Sequence, residues 1–103
     1  MFIAMNRFRV ARGAEDRFEQ VWTNRERHLA EVPGFVAFKL LRGPEHADHT
    51  LFVSHTLWDS RVSFEAWTRS DAFRKAHASA GANKDMYLGP PQFEGFEVVQ
   101  AEG

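Results

Sequence analysis

Six alternating segments predict an α+β fold of the ferredoxin-like βαββαβ type, a four-stranded antiparallel sheet with its helices on one face. Three observations carry this. Strand-period alternation opens and closes the chain, helix-period stretches interrupt it twice, and two consecutive strand-like runs meet across a Gly-Pro turn in the middle. The chain has 103 residues, 44% hydrophobic with ten Phe, which suits one domain over residues 1–103 with a modest core. No linker, repeat or low-complexity tract divides it.

The first strand runs from Phe2 to Val10. Side chains alternate along a strand, so Phe2, Ala4, Asn6, Phe8 and Val10 share one face, and Ile3, Met5, Arg7 and Arg9 the other. A carboxamide in the middle of the apolar face is out of place. Buried without a partner it costs about 1–3 kcal/mol, so Asn6 either satisfies a structural hydrogen bond or faces a cavity that holds something polar. Gly13 breaks the strand. A helix is expected from about Ala14 to Val32, with Phe18, Val21, Trp22, Leu29 and Val32 at helical spacing. Arg25 lies on the same stripe, where a side chain snorkelling at the core edge would account for it.

Pro33-Gly34 ends that helix. Phe35 to Arg42 and His49 to Trp58 read as a hairpin, turning through Gly43-Pro44 and the polar stretch Glu45 to Asp48. Asp59-Ser60 offers an N-cap to a short helix over Arg61 to Arg69, with Val62, Phe64 and Trp67 apolar. Ser70-Asp71 offers another, to a second short helix reaching about Ser79. On that helix Phe73, Ala76, His77 and Ala80 share one face. Residues 80–92, with two Gly and two Pro, read as a loop, and Phe93 to Gln100 is the last strand. A single layer of helices leaves the sheet face of Ile3 and Met5 bare. A second copy packed sheet to sheet would cover it, which predicts a homodimer.

Composition removes several function classes. A net charge of −1 supplies no basic field for nucleic acid or anionic lipid. There is no cysteine, so disulfide and thiolate chemistry are excluded and a cytoplasmic location fits. MFIAMNRF has neither the charged n-region nor the continuous apolar run of a signal peptide, and no stretch is long enough to span a bilayer. His46 and His49 fall in a polar turn and are expected to be solvated. His28 falls near the polar side of the first helix. His55 shares a strand face with Leu51, Val53 and Leu57 and is a candidate for burial. None forms a two-His metal spacing, so a closed zinc site is not expected. A single axial His holding a haem iron needs no second protein ligand. No carboxylate pair stands on an apolar face, and the nucleophile-elbow, P-loop and dinucleotide-binding fingerprints are absent.

Three residues remain with both a structural and a functional reading. Asn6 is a paired amide or a cavity group, Trp67 a core aromatic or a wall, His77 a satisfied core imidazole or a ligand. Around His77 the small Ala76, Ala78, Ala80 and Gly81 leave room for a flat molecule. The combination resembles the IsdG-type haem-degrading monooxygenases of the antibiotic biosynthesis monooxygenase superfamily. The resemblance runs through Met5-Asn6-Arg7, Pro33-Gly34-Phe35, Phe64-Glu65-Ala66-Trp67, Ser70-Asp71-Ala72-Phe73 and Ala76-His77, nearly the whole chain. The Pro-Gly-Phe and Phe-x-x-Trp pieces also occur in superfamily members that bind no haem; the Asn–Trp–His set is the specific part.

That resemblance implies a dimeric α+β barrel in which haem is cofactor and substrate together. His77 would be the axial iron ligand, and Asn6 would donate a hydrogen bond to iron-bound dioxygen or water, as oxyanion-type donors do. Trp67 would press the porphyrin out of plane, a ground-state distortion. Arg25 would hold a propionate, and Phe73 would line the haem beside His77. It also implies O2 as co-substrate, an electron-donating reductase as partner, and release of iron from an opened tetrapyrrole. Two other readings stay open: a cofactor-free monooxygenase acting on a quinol-like aromatic, and a non-enzymatic haem-binding dimer.

Overall fold

The computed structural model describes residues 1–24, 29–76 and 84–103. Its elements are β1 (Phe2–Ala11), α1 (Glu15–Thr23), a 3-10 turn at Leu29–Glu31, β2 (Phe35–Glu45), β3 (His49–Trp58), α2 (Arg61–Thr68), α3 (Asp71–Ala76) and β4 (Gln92–Glu97). The strands form one sheet in the order β2-β3-β1-β4, every pair antiparallel. The ferredoxin-like topology expected from the sequence is therefore the observed one.

Boundaries differ by more than one residue in three places. The helix expected over Ala14 to Val32 stops at Thr23, where Asn24 caps it by donating its N–H to Gln20 O. Thr23 bonds back through its hydroxyl to Glu19 O at 2.8 Å, a habit of Thr that weakens a helix end. Leu29–Glu31 is a separate 3-10 turn. β2 continues to Glu45 through a register shift between Arg42 and Glu45. That irregularity accommodates Pro44, which has no N–H for the ladder. β4 spans Gln92–Glu97 and so ends three residues before Gln100. The expected end of the second short helix, residues 77–79, lies outside the described residues.

The short helices are set by their caps. Ser60 Oγ accepts from Ser63 N at 3.2 Å to start α2. Ser70 Oγ accepts from Phe73 N at 3.2 Å to start α3 and donates to Trp67 O at 2.6 Å, which ties the end of α2 to the start of α3. Gly34 turns the chain into β2 at φ 85°, and its carbonyl accepts from Asp59 N at 2.8 Å. A side chain there would strike Ser63 and Asp59, so the position requires glycine.

The helix-covered face carries the core, and the core is split. One cluster joins Phe8, Val10, Phe18, Phe52 and Met86 under α1. The other joins Phe2, Ala4 and Trp58, with Phe64 and Trp67 of α2 packed on it. Burying each such aromatic side chain stabilises the fold by roughly 1.5–3 kcal/mol. Met86 is fully buried although it lies in the segment read as loop; Leu88 N donates to Arg9 O at 2.9 Å, pinning that segment to β1. The opposite face presents Ile3, Met5, Leu51 and Leu57, half-buried, with Leu41 and Phe96 exposed. No described element covers it. Among the described residues no helix is long and apolar enough to cross a membrane.

Candidate functional site

Asn6 sits where the two clusters part. Its neighbours on the same face of β1, Ala4 and Phe8, belong to opposite clusters. The pairing register sets Ser54 beside it on β3 and Phe93 on β4, with Leu40 beyond Ser54 on β2. Asn6 is half-buried, and among the described residues nothing hydrogen-bonds its carboxamide. Of the two readings the residue allowed, the structural one finds no partner for the amide among the described residues. The amide faces the break between the clusters.

Aromatic rings stand on both sides of that break. From α1, Trp22 stacks on Phe38 at 5.9 Å between centroids and meets Phe8 edge-on at 5.6 Å. From α2, Phe64 stacks on Phe93, the β4 neighbour of Asn6, at 5.6 Å. Trp67, one residue before the end of α2, is half-buried; it packs against Trp58 at 5.4 Å and takes Phe73 of α3 edge-on at 4.8 Å. The α2–α3 corner that joins Trp67 to Phe73 is the one Ser70 holds. Two of the expected site residues, Arg25 and His77, lie outside the described residues; α3 ends at Ala76.

His28, expected near the polar side of the first helix, lies outside the described residues; the described histidines separate from this face. His55 is half-buried, but strand alternation puts it on the uncovered face, opposite Met5 and Lys39. His49 is not solvated as expected: its side chain is only 16% exposed, and Nδ1 lies 2.6 Å from Asp48. His46 is exposed and stacks on it at 4.5 Å. Both line a hollow of about 120 Å³ with Arg7, Arg9 and Gln92, which takes in none of the expected site residues. Among the described residues no group of His, Asp and Glu is arranged to hold a metal ion.

Charge pairs fix α1 over the sheet. Glu15 accepts from Thr50 Oγ1 at 2.8 Å and from Gly13 N at 2.8 Å. The Thr50 hydroxyl, then backbone N–H donation, hold its carboxyl below the ordinary glutamate value. Glu19 pairs with Arg42 of β2 at 2.7 Å, and Arg17 with Asp85 at 2.7 Å, which lowers the Asp85 pKa. These contacts position Phe18 and Trp22 against the first cluster.

Ser54 is absent from the sequence-derived set. The alternation that singled out Asn6 places Ser54 on the same face as Phe52 and Trp58, but a serine among threonines gives a weaker contrast than an amide among phenylalanines.

Residues 1–79 match the sequence profile of a family described as antibiotic biosynthesis monooxygenase. The chain is 35% identical to a haem-degrading monooxygenase of Listeria welshimeri, over 99% of this chain and 90% of that protein. It is similar in structure to MhuD, a haem degrader of Mycobacterium tuberculosis solved with two haems in its active site, with a TM-score of 0.77, 33% identity and 100% of both chains covered. It is also similar to SnoaB, a cofactor-independent oxygenase of Streptomyces nogalater, with a TM-score of 0.69 and 25% identity over 97% of this chain and 94% of that one.

Proposed function

The chain belongs to the antibiotic biosynthesis monooxygenase family, and from that premise we propose that it is a haem-degrading monooxygenase, which opens the porphyrin with dioxygen and electrons from an external reductase and releases iron. The observation that carries the reading is the carboxamide of Asn6, half-buried, unpartnered among the described residues, and set between two aromatic clusters. A flat apolar molecule with one polar reacting centre fits such a setting: rings line its faces and a single amide meets its centre. The haem degraders of Listeria welshimeri and Mycobacterium tuberculosis lend the substrate.

In this reading His77 would hold the iron and Arg25 a propionate. Bound haem supplies the iron centre at which dioxygen is activated. The protein's own part is positional. Asn6 offers an N–H donor where negative charge develops on oxygen, the kind of contact whose removal costs about 10²–10³ in rate. Trp67 and Phe73, locked edge-on to each other, would form a wall against bound haem. Trp22 and Phe64, both half-buried, would shield the flanks from water, with Phe93 at the rim. A second copy would cover the bare sheet face and complete a dimeric barrel.

A cofactor-free oxygenase acting on a quinol-like aromatic is favoured by the likeness to SnoaB. It would use the same Asn6 to stabilise a phenolate oxygen. Titration with hemin separates the two. The haem reading expects a Soret shift in the parental chain that is lost in His77→Ala, then decay of that band in air with ascorbate and a ring-opened tetrapyrrole by mass spectrometry. No Soret shift overturns it; a shift with a persistent band leaves a haem carrier.

A further inference from the structure

Resting on the haem reading, we infer that Ser54 is a positioning residue of the same site, its hydroxyl and the Asn6 carboxamide together holding one small oxygen ligand against the sheet floor. Three hydroxyls lie on the helix-covered face of β3: Thr50, Ser54 and Thr56. Thr50 Oγ1 donates to Glu15 at 2.8 Å, and Thr56 Oγ1 donates to Ala4 O at 3.2 Å. Each of these is committed to the fold. Ser54 is buried, 8% exposed, and among the described residues its hydroxyl has no partner. Nor is it sealed: among the described residues the one fully enclosed side-chain polar atom without a partner is Trp58 Nε1. The Ser54 hydroxyl therefore opens onto the same break in the core as Asn6.

The register makes the two a pair. Asn6 and Ser54 are direct cross-strand partners. Such partners hold their Cβ atoms about 4.5–5.5 Å apart on one face. An oxygen atom above them can lie within about 3 Å of both polar groups, the ordinary hydrogen-bond distance. A hydroxyl rotates to donate or accept, whereas the amide has fixed donor and acceptor ends, so the pair adapts to water, hydroxide or a diatomic molecule. With Ser54 donating, the deprotonated form of such a ligand is favoured, and the site discriminates among oxygen ligands by protonation as well as by fit.

The test uses the hemin complex of the full chain and reads its acid–alkaline absorption transition by base titration, which needs no turnover. Ser54→Ala is expected to raise the midpoint by about one pH unit, a tenfold change in the acid constant. Ser54→Thr, which keeps the hydroxyl, is expected to restore it, while hemin affinity stays within a few-fold in both. A midpoint unmoved in Ser54→Ala, with Asn6→Ala moving it in the same titration, overturns the Ser54 assignment and leaves the haem reading intact. A parental chain that takes up no hemin overturns both.

Discussion

In the proposed site Asn6 and Ser54 are one cross-strand pair, while the positions around it serve the fold. Their nearest same-face neighbours along each strand, Ala4, Phe8, Phe52 and Thr56, are buried apolar groups or, for Thr56, a hydroxyl with a structural partner. Removing a group that has no structural partner costs little stability, so its effect falls on the reaction. Asn6→Ala should therefore leave hemin affinity within a few-fold and thermal stability nearly unchanged while slowing haem turnover by about 10²-fold. Single-turnover decay of the Soret band with ascorbate checks it; decay at the parental rate would remove the role given to the amide.

At the level of elements, the caps and clamps bear the load. Ser70 links α2 to α3, and loss of an N-cap costs about 1 kcal/mol, so Ser70→Ala should lower unfolding free energy by about that amount in urea. Because the corner also sets Trp67 against Phe73, hemin should bind more weakly as well. Glu15 fixes the start of α1 to Thr50. Its folded pKa is lowered, so the stability it contributes is complete above the unfolded glutamate value and is lost as pH falls through the folded one. Thr50→Val should flatten that acid loss, and thermal melts stepped downward from neutral pH would reveal it. An unchanged acid slope in Thr50→Val would show that the hydroxyl does not set the pKa. The strands and the two N-cap serines were legible because alternation and capping are local signals. The end of α1 at Thr23 was not, because Phe18, Val21, Trp22, Leu29 and Val32 keep helical spacing across the break. Met86 was hidden too: its burial comes from the return of its segment to β1, which no periodicity near it records.

Over the whole molecule, the sheet has one finished face and one bare one. Ile3, Met5, Leu41, Leu51, Leu57 and Phe96 form an apolar surface that no described helix reaches. Stable interfaces bury about 800 Å² per partner, and a four-stranded sheet face is of the size to supply it. A charge at its centre should prevent pairing: Leu57→Asp is expected to sediment as a monomer while the parental chain sediments as a dimer. A monomeric parental chain would remove the second copy from the proposal. This face was legible from the odd positions of β1 alone. In the sequence Asn6 stands out because an amide interrupts an apolar strand face, and Trp67 because it closes a helix, while Phe73 enters through the family resemblance; their roles in the site are proposed. Ser54 gains meaning only from its register partner, and register is a property of the sheet that no single strand reveals.

The two-part core also makes the protein its own optical gauge. Trp22 belongs to one half, Trp58 and Trp67 to the other, and the Trp58 indole N–H is enclosed with no acceptor among the described residues. An indole so dry emits at short wavelength, and a chromophore lodged between the halves would drain the fluorescence of all three rings at once. The short-wavelength component from Trp58 would then report whether its half of the core is intact, and total emission intensity whether the gap is filled.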